Sequence, residues 1–329
     1  MPLKTYAEAL CQSLIETAEA EPRLVFMPAA FGGRSRQSAA FRPFYERFQD
    51  RILATPIAEI GLLGVGVGAA MGALRPVVDV LSASFLYQGV AQVVNEAAFV
   101  HYMTDGKTRC PLIVHAMQGV LPGEAAQHNR CPAPELWNTP GLEIVLPSSP
   151  LDVAGLWKTA VLSDNPTVFM DHQLLMEETE EIPEKIDPIP FGKARRRREG
   201  RDLTIVATLA TVPKALAAAE TLSREDGVEA EVIDPRTLVP FDEETIFASV
   251  AKTGRALVVD ESHRSAGVAA EIAARIQEAV FDALKAPVVR VTLPDVPISF
   301  APPEEQTLWI TAEKIVAAAR RLLARGGGR

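Results

Sequence analysis

Few side chains in this sequence could do chemistry unaided. Glu59 stands out: it follows Thr55-Pro56-Ile57-Ala58, opens a helical pattern and has apolar neighbours. A carboxylate in the first turn of a helix gains from the helix dipole. A carboxylate buried among apolar groups instead acquires a raised pKa and can share a proton with a ligand nitrogen. The residue pattern alone leaves both roles open. His128, after Ala126-Gln127, is a lone histidine, fit either for proton transfer or for a structural hydrogen bond. Phe85, at the start of a helical pattern, reads on its own as a core aromatic. Cys11, Cys110 and Cys131 are odd in number and far apart, so they predict neither a disulfide framework nor a metal cluster. Cys131 follows His128 closely but lacks the partner pattern of a nucleophile. The sequence contains no Walker loop, no Gly-x-Ser-x-Gly elbow, no His-Glu-x-x-His and no dinucleotide glycine fingerprint at a strand-to-helix turn. Gly64-Val65-Gly66-Val67-Gly68 imitates the last of these but lies inside a helical stretch. A Gly-Asp-Gly followed downstream by Asn-Asn, which holds Mg²⁺ and a diphosphate, is also missing. By its motifs the chain is half of a machine.

An α/β framework must position these residues. Short apolar runs at 24–27, 51–54, 76–81, 111–115, 143–147 and 167–170 read as strands, with helical patterns over 7–20, 59–73, 86–102 and 151–162. Continuous apolar strands spaced by helices indicate a mostly parallel sheet covered on both faces. The segment 177–200 is acidic and proline-punctuated, then turns basic at Lys193-Ala194-Arg195-Arg196-Arg197-Arg198, and reads as an exposed linker. Its four arginines suit a phosphate patch or, beside so many acids, a solvated strand edge. A second alternation follows, with strands at 203–208, 228–233, 256–260 and 288–293 and helices at 212–223, 243–253, 267–284 and 311–324. The expected organisation is therefore α/β with two three-layer domains, 1–176 and 201–329, joined by the linker 177–200. A glycine-rich tail, 325–329, should fray.

Composition agrees with this and narrows the function. The 329 residues amount to about two domains at ~150 residues each. With 48% hydrophobic and 23% charged residues, wholesale disorder is excluded. A net charge of −9 disfavours a nucleic-acid partner. The longest apolar run, 60–74, falls short of the ~18–20 residues that cross a bilayer, and Glu59 and Arg75 bracket it closely. Its Gly64, Gly68 and Gly72 would form one bare helix face open to close approach, so a buried helix at a subunit interface is expected. No signal-type apolar core follows the N-terminus, and the cysteine usage fits a reducing cytoplasm.

Collinear segments then carry a family resemblance across about 6–323. The strongest are Thr55-Pro56-Ile57-Ala58-Glu59-Ile60-Gly61 with the glycine-rich helix through Arg75-Pro76-Val77, and Gln92-Val93-Val94-Asn95-Glu96-Ala97-Ala98. Further ones are Ala126-Gln127-His128, Pro140-Gly141-Leu142, Asp164-Asn165-Pro166, Ile233-Asp234-Pro235-Arg236-Thr237-Leu238 and Ala270-Glu271-Ile272-Ala273-Ala274-Arg275-Ile276. The chain resembles the β subunit of the thiamin-diphosphate-dependent E1 component of 2-oxoacid dehydrogenases, a branch of the transketolase superfamily. That resemblance implies an N-terminal pyrimidine-binding domain and a smaller transketolase C-terminal domain. It matches Glu59 to the glutamate that shares a proton with N1′ of the cofactor's aminopyrimidine, which lets the 4′-nitrogen remove the thiazolium C2 proton. Phe85 matches the aromatic that stacks on that ring, with Ile57 and Gln88 as further cofactor contacts. His128 matches the active-site histidine on the substrate side. Carbonyls around Leu112, Ala160, Val161, Ser163 and Asn165 match a structural potassium loop, although Ser163 stands where an aspartate is often found. The resemblance implies that an α subunit holds Mg²⁺ and the diphosphate, giving an α2β2 assembly. It also implies that the acyl group passes to a lipoyl-bearing E2 acyltransferase.

The sequence departs from the family near the pocket. Phe26-Met27-Pro28-Ala29-Ala30-Phe31 lacks the usual acidic pair, and Ala91 replaces an aspartate. His115-Ala116-Met117-Gln118-Gly119-Val120-Leu121-Pro122-Gly123 replaces an arginine with its glycine-rich loop. Departures around an intact Glu59 suggest a shifted substrate or acceptor. Two alternatives remain at this stage: the C-terminal half of a split transketolase-like ketol transferase, and a non-catalytic partner subunit.

Overall fold

A computed structural model describes residues 1–28 and 36–325. The departure at Ala29-Ala30-Phe31 and the tail beyond Arg325 lie outside the described residues. The strands, in chain order, are β1 (Leu3–Thr5), β2 (Leu24–Met27), β3 (Arg75–Ser82), β4 (Ile113–Met117), β5 (Glu143–Val145), β6 (Thr167–Asp171) and β7 (Thr179–Glu181). They continue as β8 (Arg195–Arg198), β9 (Leu203–Ala207), β10 (Ala230–Asp234), β11 (Thr237–Val239), β12 (Ala256–His263) and β13 (Val289–Leu293). The chain divides into two compact units. The first comprises Met1–Gln118, Glu135–Phe191 and Leu238–Pro240; the second comprises Gly119–Pro134, Gly192–Thr237 and the chain from Phe241 onward.

The first unit is built on a six-stranded sheet of order β11-β5-β6-β4-β3-β2, parallel at each pairing from β2 to β6. β4 and β6 are buried at every position, which is why they read as continuous apolar runs. The helix Tyr6–Ala20 packs on the helix Pro150–Leu162, and the buried Trp157 indole donates to Thr17 Oγ1 at 3.1 Å. A capping box starts the first of these helices: Glu8 N–H donates to Thr5 Oγ1, while Glu8 Oε2 accepts from Thr5 N–H.

The second unit has the sheet order β13-β12-β9-β10-β8, parallel except for β8, which runs antiparallel to β10 at the edge. Its core is an alanine-rich stripe at helical spacing. Ala215, Ala218, Ala219 and Leu222 pack with Ile315, Ala318, Ala319 and Leu322 over Leu203, Ile205, Val232 and Leu257. Small residues let these helices lie close to the sheet.

Several expected elements differ. The segment 51–54 is no strand: Ile52 makes one isolated bridge to Phe26, and Pro56 lacks the N–H a longer ladder needs. The single helix expected over 86–102 is broken into a 3₁₀ turn (Ala83–Gln88), a π turn (Gln92–Ala97) and a short α-helix (Val100–Met103). The segment read as a linker contains two strands: β7 pairs with β1, and β8 with β10. The stretch Gly119–Pro134 belongs to the second unit and Leu238–Pro240 to the first, so the chain passes between units more often than one linker provides. No described helix is long and apolar enough to cross a membrane.

Candidate functional site

Glu59 opens the helix Glu59–Met71, whose N-cap Ala58 offers no side-chain cap, so the carboxylate is the group that answers the positive helix end. Glu59 is half-buried, while Ile57 is 88% exposed and Ile60 is 57% exposed. The helix backs onto β3 through Gly66, where an added Cβ would lie 2.5 Å from Val78 Cγ2. The opposite side, with Gly64, Val65, Gly68 and Met71, is exposed. Within this chain the 60–74 run is buried on one side only, which leaves the expected interface side open. Gly66 makes the close approach inside the chain, and the Gly64–Gly68 face is left uncovered.

The 3₁₀ turn Ala83–Gln88 carries Phe85, half-buried, and Gln88, exposed. The following Gly89 is what lets this turn meet Glu59: a Cβ there would lie 2.5 Å from Leu63 Cδ1 and 3.1 Å from the Glu59 carbonyl oxygen. Local folding thus packs the helix opened by Glu59 against the turn that carries Phe85 and Gln88, with Ile57 exposed just ahead of the helix. The predicted cofactor set fits the aminopyrimidine end of thiamin diphosphate: an acid for a ring nitrogen, an aromatic for a ring face, and apolar surface beside them.

Sequence reasoning missed a second cluster, behind this site. His115 on β4 is buried between Asp79 on β3 and Asp171 on β6, with Nδ1 3.3 Å from Asp79 Oδ1 and Nε2 3.2 Å from Asp171 Oδ2. Burial alone would lower the imidazole pKa, but the two carboxylates outweigh it and push it up to about 10. His115 is therefore an imidazolium bracing three adjacent strands. Asp79 also accepts the N–H of Leu81, which holds positive φ just ahead of the Phe85 turn. The visible signal was a charged residue inside each of three otherwise apolar runs: Val77-Val78-Asp79-Val80, Ile113-Val114-His115-Ala116 and Val168-Phe169-Met170-Asp171.

His128 ends the short helix Ala125–His128 in the second unit and is exposed, with Glu124 Oε2 4.0 Å from its Nδ1. The segment that bears it is fastened at several points. Asn129, buried, accepts from Leu121 N–H at 2.8 Å and donates to Leu121 O at 2.9 Å. Gly123 N–H donates to the buried Glu305 at 2.9 Å, Val120 N–H to Glu261 at 3.4 Å, and Cys131 Sγ to the Glu261 carbonyl at 3.4 Å. Lys214 Nζ lies 3.1 Å from the other Glu261 oxygen, and Val120 packs on Leu293 and Ile298. Glu59 and His128 thus belong to different units. Cys131 is buried, and burial pushes the thiol of Cys110 up to about 11 and that of Cys11 upward too, so the latter two read as packing residues.

With this geometry in hand, known proteins give a consistent comparison. Residues 4–178 match the transketolase pyrimidine-binding domain, and residues 192–315 match the transketolase C-terminal domain. The chain is 35% identical to the 2-oxoisovalerate dehydrogenase subunit beta of Bacillus subtilis, over 98% of its own length and 99% of the relative. This chain belongs to the E1 β-subunit family. It is also 42% identical to the pyruvate dehydrogenase E1 component subunit beta of Rickettsia bellii, over 76% of this chain and 77% of that one. The acetoin:2,6-dichlorophenolindophenol oxidoreductase subunit beta of Cupriavidus necator is 38% identical, over 86% and 83% respectively. Among solved structures, a split-gene transketolase described as an inactive β4 tetramer matches with a TM-score of 0.78 at 22% identity, covering 98% of each chain. That likeness establishes the shared fold.

Within this E1 β chain the potassium loop fits only in part. Leu112 O accepts Thr167 N–H at 2.8 Å, and Ala160 O accepts Ser163 N–H at 3.3 Å. Carbonyls have a second lone pair and suit a hard cation. The Ser163 carbonyl, however, already takes Arg75 Nη1 at 2.6 Å, while Asp164 takes Nη2 at 2.6 Å. The Asn165 side chain turns to Glu143 at 3.1 Å. Among the described residues no group of three or more His, Cys, Asp or Glu stands ready for a metal ion. The arginine run is a neutralised strand edge: Arg198 pairs with Glu229, and Arg196 lies 3.4 Å from Glu231.

Proposed function

We propose that this chain supplies the pyrimidine half of the active site of a thiamin-diphosphate-dependent 2-oxo acid dehydrogenase E1, working with an α-like subunit as α2β2. When bound, the cofactor supplies a nucleophilic carbon and an electron sink for loss of CO₂. Glu59 would hold a proton against the pyrimidine ring nitrogen. Phe85 would stack on the ring, and Ile57 and Gln88 would border it. His128 would move a proton on the substrate side. The lipoyl disulfide of an E2-type carrier accepts the acyl group and two electrons, leaving one sulfur acylated and the other a thiol. Mg²⁺ and the diphosphate fall to the α-like chain in this reading. A potassium ion, if used, would rest on the carbonyls of Leu112, Ala160 and Val161, sharing the Ser163 oxygen with Arg75.

The observation that carries the proposal is the meeting of Glu59 with the Phe85–Gln88 turn, which depends on Gly89. The 35–42% identities to E1 β subunits favour it over the split-transketolase reading, whose structural neighbour is 22% identical. Co-expression with the α-like chain tests it. Thiamin-dependent turnover of a 2-oxo acid with an artificial oxidant, and acylation of a lipoyl domain, are the expected results. Activity on ketoses alone, or none despite bound cofactor, contradicts it.

A further inference from the structure

The second unit has an open pocket of about 340 Å³ lined by none of the residues assigned to thiamin. It is lined by Arg264, Arg290, Lys314 and Arg321, together with Thr292 and Pro294. No carboxylate lines it, although the whole chain carries a net charge of −9. Cations elsewhere in the chain are commonly answered by acids, as Arg320 is by Glu225 and Asp226, and Arg275 by Glu243 and Glu271. Here no acid lines the pocket, and among the described residues the side chains of Arg264 and Arg321 make no hydrogen bond or close ion pair, although the charge of Arg264 reaches Asp295. Arg290 spends one N–H on the Arg264 carbonyl at 2.8 Å. Lys314 is pinned by the carbonyls of Thr307 and Trp309 at 2.5 and 2.6 Å, which leaves one ammonium N–H unspent. The nearest acid in sequence, Asp295, accepts both the N–H and the hydroxyl of Ser265, and these bonds, with the charges of His263 and Arg264, hold its carboxyl below the usual range. β13 contributes to the pocket's lining and is an edge strand, its outer side unpaired by any strand among the described residues.

We propose that this cavity is a binding site for a small molecule bearing a di- or triphosphate. Three guanidinium forks match phosphate oxygens in pairs, and an ammonium adds a point charge. Four cations around one pocket with no carboxylate in its lining suit the charge of an oligophosphate better than that of a single carboxylate. The volume lies at the lower end of ordinary small-molecule sites. The proposal does not depend on the reading of Glu59, and every lining residue belongs to the second unit.

The test is calorimetric titration of the full chain with inorganic tripolyphosphate in about 0.1 M salt, where exposed charges are already screened. Saturable binding at one site per chain is expected. It should weaken at least tenfold in the Arg264→Gln, Arg321→Gln double variant. It should be unchanged in Arg201→Gln, an exposed arginine of the same unit. A circular-dichroism melt matching wild type shows that the double variant is folded, and Arg264→Lys with Arg321→Lys should recover part of the affinity. No saturable binding, or equal loss in Arg201→Gln, overturns the site. Binding of a poly-glutamate peptide where tripolyphosphate fails also overturns it, in favour of an acidic protein segment.

Discussion

At the scale of single residues, the chain carries one acid at a helix start and one imidazolium sealed inside. Glu59 sits half-buried at a helix start, while His115 is enclosed by two carboxylates. Removing the enclosed charge leaves Asp79 and Asp171 buried without a cation. His115→Leu should therefore lower stability by ~3 kcal/mol in urea unfolding, and His115→Arg should restore much of that loss. A wild-type midpoint for the leucine variant would contradict the brace. The pH dependence follows from the raised pKa. The folded imidazole titrates near 10 against 6.5 for the free group, so its contribution is complete below about 6.5 and is lost as pH climbs through about 10. Wild type should thus soften on the alkaline side more than His115→Arg does, as thermal melts across that range would record. His115 was read from the sequence as a departure from a family arginine, and the signal of its place inside an apolar run went unused. Its partners lie in sequence 36 residues before and 56 after it, and only strand order brings them together.

At the scale of elements, legibility tracks how locally each element is determined. Continuous apolar strands such as β4, β6, β9 and β12 announce themselves because both their faces are buried. The helix expected over 86–102 fails as a unit because tertiary packing at Gly89 and the 3₁₀ and π turns around it override local periodicity. The 60–74 run was legible as apolar, but the sequence could not assign its faces between this chain and a partner. The exposed side carries Ile60, Val65 and Met71, too apolar a surface to be left in water. Val65→Arg should leave the chain's own melting temperature within a few degrees of wild type and abolish α2β2 assembly in size-exclusion chromatography. Normal assembly would mean this face is not the interface. The His128 segment makes a complementary case: Glu305 and Glu261 tie it to the rest of the second unit, and Asn129 closes it on itself. Glu305→Gln should lower kcat by about tenfold with cofactor affinity unchanged, and the lost rate should follow the number of anchors removed when Asn129→Ala is added. Unaltered kcat in the double variant would free His128 from these anchors.

At the scale of the whole molecule, half of the expected site was never going to be visible. No diphosphate motif is encoded in the sequence, and the described residues offer no cluster of acids for Mg²⁺. Only the family resemblance implied which end of the cofactor this chain should take, because Glu59 and Phe85 taken alone read as a helix-start acid and a core aromatic. The measurement that bears most directly on the account is hydrogen–deuterium exchange at the thiazolium C2 position of cofactor bound to the assembled α2β2 protein, followed by NMR. Glu59→Gln should still assemble and bind thiamin diphosphate, yet exchange C2 hydrogen ~10²–10⁴-fold more slowly than wild type, the usual worth of a positioned acid–base group. Exchange at the wild-type rate in that variant would contradict the proton-sharing role of Glu59 and, with it, the proposed division of the site.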